Sequence, residues 1–107
     1  MTYTLIHPVS GDKIDGGLTA AEAAHIVLTY DGRDYEIREN EDGGYTLWSR
    51  HPVANRGWEP TVVESRESNR DAAEAEIFEQ VIHARWRRHP EAMTDEQYAS
   101  MLADLEG

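Results

Sequence analysis

The sequence predicts an α+β fold in which helices pack on one face of an antiparallel sheet of three or four strands. Short segments with alternating apolar and polar residues are typical of half-buried strands. Longer segments with apolar residues three and four positions apart are typical of amphipathic helices. Placed in order, these segments read β-α-β-β-β-α-α. The length of 107 residues predicts one domain over residues 1–107.

A short strand and a capped helix are predicted first. Residues 3–7 alternate in character, and the glycine-containing cluster at residues 15–17 is expected to end the strand. Thr19 and Glu22 have the spacing of a capping box, which predicts a helix start. The helix is expected to stop at Gly32.

A three-stranded meander is predicted next. Residues 33–39 and 45–50 alternate in the manner of paired strands, and the turn at residues 40–44 contains two glycines. A third strand is predicted over residues 58–65, with the valines at 62–63 at its centre.

Two helices complete the predicted order. Ser68 or Asn69 can cap a long helix over residues 70–88, which Pro90 would close. Its spacing predicts a face buried against the sheet, formed by Ile77, Phe78, Val81 and Ile82. A short helix within residues 91–107 is predicted to begin with a capping box of Thr94 and Gln97. Its apolar side would consist of Tyr98, Met101, Leu102 and Leu105.

The charge of the chain is strongly negative and unevenly distributed. The formal net charge is −11. Residues 1–46 carry nine acids and three bases, residues 47–90 carry seven of each, and residues 91–107 carry five acids and no base. Such a domain repels nucleic acid and anionic membranes and attracts basic surfaces. The charge therefore predicts a protein partner with a basic, nucleic-acid-binding surface, with no direct nucleic-acid binding and no membrane binding.

The core order α-β-β-β-α resembles the double-stranded-RNA-binding domain in topology. That family holds phosphates with basic residues at the start of its second helix. Residues 69–76 occupy the matching position here and are net acidic. The resemblance therefore implies a fold and not RNA binding.

Composition and motifs favour a non-enzymatic protein without cofactors. The chain has no cysteine, which excludes disulfides and thiolate zinc sites and suits the cytoplasm. The N-terminal sequence has no signal-peptide pattern, and no apolar run is long enough to cross a membrane. The five histidines do not have the spacing of a metal motif, and His83 is expected to pair with Glu79 instead. No sequence context positions a catalytic nucleophile.

The acidic hairpin is the first candidate for partner binding. Its strand and turn carry a row of carboxylates that a basic groove could accept: Asp34, Glu36, Glu39, Glu41 and Asp42. The alternative is a solvated sheet edge that its charges keep from pairing with other chains. Arg33 and Arg38 favour this alternative because they offer local salt bridges.

A second candidate region surrounds the loop at residues 51–57. Trp48 and Trp58 flank this loop, and Arg50 and Arg56 lie near it in the sequence. Tryptophan and arginine are favoured anchors of protein interfaces. In a domain of this size we expect one of the two tryptophans to be buried and the other to be partly exposed.

Length, charge and the absence of cysteine together resemble small proteins encoded by phages and mobile elements, among them anti-CRISPR and antirestriction inhibitors. The resemblance implies an acidic binding protein that inhibits or modulates a nucleic-acid-handling protein by occupying its basic surface. Two alternatives stay open. One is a small accessory or oligomerising domain, such as a homodimer, whose charge only ensures solubility. The other is a small enzyme with an unrecognised site.

Overall fold

The computed structural model describes residues 1–51, 57–84 and 89–106, and it confirms the α+β class. The predicted order is present, with two additional short strands. The elements are β1 (Tyr3–Ile6), β2 (Lys13–Leu18), α1 (Ala20–Thr29), β3 (Asp34–Glu39), β4 (Tyr45–Arg50), β5 (Glu59–Ser65), α2 (Arg70–His83), β6 (Glu91–Thr94) and α3 (Asp95–Glu106).

The strands form two antiparallel sheets of three strands each. The predicted meander is the sheet β3-β4-β5, in which Ile37 pairs with Leu47 across the hairpin. The second sheet has the order β2-β1-β6. β1 is therefore a central strand, and all four of its residues are buried instead of alternating.

β2 occupies the segment that the sequence predicts to be a turn. It pairs with β1 in an irregular register that shifts twice between Tyr3 and Ile6. Gly17 has a φ of 65°, which glycine adopts without steric cost and which suits a bulge in an edge strand. β2 contains two glycines and most of its residues are exposed, so it lacks the alternation of apolar and polar residues that predicts a strand.

One hydrophobic cluster joins both sheets to α1 and α2. The helices pack against each other, α1 contacts β1 to β3, and α2 contacts β4 to β6. The predicted capping box of α1 is confirmed, because Thr19 accepts a hydrogen bond from the Glu22 backbone and Glu22 returns one to Thr19. The sheet β3-β4-β5 contributes inward-facing side chains to the cluster: Ile37, Tyr45, Leu47 and Val63.

α2 is shorter than the sequence predicts. Asn69 caps it, and Ile77, Val81 and Ile82 are buried as expected, but Phe78 is only partly buried. The helix ends at His83 because Ala84 is extended, with φ −74° and ψ 145°. The rest of the predicted helix, residues 85–88, lies outside the described residues.

The C-terminal segment is a strand followed by a helix, not a helix alone. β6 pairs with β1 over residues 91–94, where its backbone completes the second sheet. The predicted capping box at the start of α3 is confirmed by reciprocal hydrogen bonds between Thr94 and Gln97, at 3.0 and 3.1 Å. Across the described ranges, no helix has the length and apolar character needed to span a membrane.

Candidate protein-binding face

The face of the sheet β3-β4-β5 that points away from α1 and α2 carries charged and aromatic side chains. Strand alternation places them there, because residues two apart on a strand share a face. Asp34, Glu36 and Arg38 come from β3, and Trp48 and Arg50 come from β4. This outer face contains most of the residues that the sequence singles out for partner binding.

Two tryptophans and two arginines stack on the outer face. The Arg38 guanidinium lies 4.4 Å from the centre of the Trp48 ring and 5.5 Å from that of Trp58. The Arg50 guanidinium lies 5.0 Å from the Trp58 ring. These four residues form the Trp–Arg cluster. Each such contact stabilises an exposed site by about 0.5–1 kcal/mol, so its main effect is to hold the side chains in place.

The acids of β3 are paired with the arginines of this cluster. The Nε of Arg50 donates to Asp34 at 3.0 Å across the strand pair, and the Nε of Arg38 donates to Glu36. The side chains in these pairs stay 40–48% exposed, so each pair contributes only about 0–1 kcal/mol. The predicted row of free carboxylates is therefore interrupted. Arg33 does not contribute, because it bonds Asp31 at 3.0 Å.

Acidic side chains are concentrated at the hairpin turn instead. Glu39, Glu41 and Asp42 are exposed there and form the acidic turn. Asp42 accepts a hydrogen bond from the backbone of Gly44 at 3.0 Å, which fixes the turn. Gly44 is required by close packing, because a Cβ at this position would lie 2.7 Å from the Ser65 carbonyl oxygen.

The tryptophans differ from the prediction. Both Trp48 and Trp58 are partly exposed, so the expectation that one of them is buried is wrong. Trp48 faces outward because its strand neighbour Leu47 takes the inward position, and the buried aromatic side chains of the core are Tyr3 and Tyr45. Arg56 lies outside the described residues. Arg38 was not among the predicted binding residues, although its spacing of two from Glu36 places it on the same face.

β5 contains a bulge beside the cluster. Between the pairs Thr46–Glu64 and Trp48–Pro60, the register between β4 and β5 shifts. The Thr61 hydroxyl stabilises the bulge by donating to the Leu47 carbonyl oxygen at 2.9 Å. Val62, predicted to lie at the strand centre, is 95% exposed there. The bulge thus leaves an apolar side chain exposed on the strand whose Pro60 pairs with Trp48.

A cleft of about 800 Å³ lies elsewhere, between α2 and β6. Tyr3 donates to Glu79 at 3.3 Å, and Glu79 also contacts His83 at 3.2 Å, which confirms the predicted pair. Burial, and then the Glu79 carboxylate, raise the pKa of Tyr3. The Glu79 and His83 side chains are 47% and 69% exposed, so they do not form a shielded catalytic group. Within residues 1–51, 57–84 and 89–106, no three acidic or histidine side chains are arranged to hold a metal ion.

The predicted core order is present as α1-β3-β4-β5-α2. The start of its second helix is acidic in the structure too, because Asp71 and Glu76 are exposed there. Arg70 at this helix start is already bonded to Glu74 at 2.9 Å. No protein-family model, curated protein or solved structure matches the chain.

Proposed function

We propose that this chain is a non-enzymatic acidic binding protein that docks on a basic, nucleic-acid-binding surface of another protein and thereby inhibits or modulates it. The outer face of the sheet β3-β4-β5 is the docking surface. The Trp–Arg cluster anchors the partner, and the acidic turn guides it. No cofactor takes part.

The geometry of the Trp–Arg cluster is the observation that carries this proposal. Tryptophan and arginine contribute most of the binding free energy at many protein interfaces. Here each arginine lies within 5.5 Å of a tryptophan ring and is also bonded to a carboxylate. Side chains held in this way lose little conformational entropy on binding, so their contacts contribute more fully to affinity.

The charge distribution supports a basic partner. Within the outer face the two acids of β3 offset the two arginines, and Glu64, exposed opposite Thr46, adds a negative charge. The acidic turn adjoins this face on a chain with a net charge of −11. A basic cleft would therefore be attracted over a distance of about a Debye length and would then contact aromatic anchors.

Affinity capture from host cells identifies the partner, and variants of the purified protein test the anchor. We expect Trp58→Ala to weaken the complex by about 30-fold or more, as at other interface hot spots. Tyr30→Ala is the matched control, because Tyr30 is an aromatic residue 43% exposed at the end of α1, away from the outer face. Equal affinities for wild type and Trp58→Ala would contradict the proposed anchor.

Charge reversal tests the acidic turn. We expect Glu39→Lys with Glu41→Lys to slow association and to flatten its salt dependence. The control pair, Asp12→Lys with Glu76→Lys, changes the net charge equally but lies before β2 and on α2, outside both the acidic turn and α3. If both pairs slow association to the same extent, the long-range field of the protein acts without a specific site.

The final test concerns inhibition. Once captured, the partner is titrated with its own nucleic acid in the presence and absence of this chain. Competition is expected, because both ligands would occupy one basic surface. A stable ternary complex with unchanged nucleic-acid affinity would instead favour an accessory role.

A further inference from the structure

α3 presents an apolar stripe that is half-buried at Tyr98 and Met101 and exposed at Leu102 and Leu105. Tyr98, Met101, Leu102 and Leu105 follow the spacing of one helix face. No residue of α3 is buried; Leu102 is 40% exposed and Leu105 is 77% exposed. Exposed apolar side chains aligned on one face of a helix are typical of a docking surface.

The start of α3 is firmly attached to the second sheet. Asp95 accepts hydrogen bonds from the hydroxyls of Thr2 and Thr4, and its own backbone donates to the Thr2 carbonyl oxygen at 3.2 Å. The Lys13 ammonium lies 5.7 Å from the Tyr98 ring centre. The first turn of α3 is thus held in a fixed orientation, and Leu102 and Leu105 lie on the turns that follow.

The charge around the stripe selects its occupant. Asp104 and Glu106 are exposed acids beside Leu102 and Leu105 on the last turns of α3. Lys13 lies at the other end of the stripe, against Tyr98. Two copies of α3 would bring these acids together, which disfavours a second copy of this chain. A partner helix with an apolar face and flanking lysines or arginines matches both the stripe and the acids at its end.

We propose that α3 docks through this stripe on a basic amphipathic helix of a partner protein. The recognition is that of one amphipathic helix against another, with leucines as anchors and acids as flanking contacts. The stripe spans about two helical turns, so the contact is small and transient. The stripe follows β6 of the second sheet. This proposal therefore concerns a different surface from the outer face and does not rest on the function proposed for that face.

A model peptide tests this inference without knowledge of the partner. The probe is a fluorescent peptide of leucine and lysine arranged as an amphipathic helix, and its scrambled sequence is the comparison. By fluorescence anisotropy we expect the wild-type protein to bind the amphipathic peptide with a Kd on the order of 10 µM, and at least about tenfold more tightly than the scrambled one.

Variants locate the binding. Leu102→Gln with Leu105→Gln keeps good helix formers and should weaken binding about tenfold or more. Val9→Gln is the control, because Val9 is an apolar residue 88% exposed far from α3 in the sequence. Circular dichroism confirms that the helical content of each variant is unchanged.

Three results would overturn the inference. Equal affinity for both peptides would show that charge alone binds them. Unchanged affinity in the double leucine variant would place the peptide elsewhere. Sedimentation of the wild type as a dimer that the leucine substitutions dissociate would make a second copy the occupant of the stripe.

Discussion

Ile77 and Phe78 are neighbours on α2 but contribute differently to stability. Ile77 is fully buried in the cluster that joins both sheets, and Phe78 packs at its border. We expect Ile77→Ala to lower the free energy of unfolding by about 2–5 kcal/mol, because it leaves a cavity in a close-packed site. Phe78→Ala should cost less than the about 3–5 kcal/mol typical of a buried phenylalanine. Urea denaturation of both variants measures the difference, and a larger loss for Phe78→Ala would reverse this assignment.

Asp95 links acid pH to the attachment of α3. Hydrogen bonds from the Thr2 hydroxyl, and then from Thr4, hold its pKa below the ordinary value of 3.8. Because the folded pKa is the lower one, the unfolded chain binds more protons in this range. The contribution of Asp95 is thus present above pH 3.8 and is lost as the pH falls through the folded pKa.

Removing one of these hydrogen bonds tests the linkage. Thr4→Val keeps the shape of the side chain, and we expect the pKa of Asp95 to rise toward 3.8 in an NMR titration of its carboxyl group. Thr46→Val removes a hydroxyl that bonds Asn40 and serves as the control. An unchanged Asp95 titration in Thr4→Val would show that the other contacts set the pKa.

The two capping boxes have the same chemistry in different surroundings. Thr19 caps α1, whose residues enter the core, and Thr94 caps α3, which buries none. We expect Thr19→Ala to lower global stability by about 0.5–2 kcal/mol. Thr94→Ala should leave global stability nearly unchanged and increase amide hydrogen exchange within α3 alone. Equal losses in denaturant for both variants would show that α3 unfolds together with the rest of the chain.

Local signals predict some elements and miss others for a physical reason. The hairpin and the capping boxes are encoded by contiguous residues, and the sequence identifies them almost to the residue. β2 and β6 each form by pairing with β1. In the pairing of β6, residues as far apart in the sequence as Tyr3 and Thr94 lie opposite each other. Likewise, the apolar spacing predicts a helix as far as residue 88, but α2 ends at His83. Pairing between distant segments carries little local signal.

The sequence predicts which residues share the outer face more accurately than it predicts the charge of that face. Alternation correctly places Asp34, Glu36, Trp48 and Arg50 on one side of the sheet. The sequence predicts the local pair of Arg38 with Glu36 on one strand, but not the pair of Asp34 with Arg50, because that pair joins two strands. Exposed acids lie instead at the hairpin turn, on α2 and on α3.

This distribution makes a testable prediction for nucleic acid. Duplex binding requires lysines and arginines that release counterions from phosphates. Here Arg38, Arg50 and Arg70 are each bonded to a carboxylate, and the chain as a whole carries −11. We expect no detectable binding to duplex DNA or duplex RNA in gel-shift assays at about 0.15 M salt. Lowering the salt should not rescue binding to a micromolar level, because repulsion between like charges also grows as screening weakens. Submicromolar binding to either duplex would contradict the proposed function, because the basic surface would then belong to this chain and not to its partner.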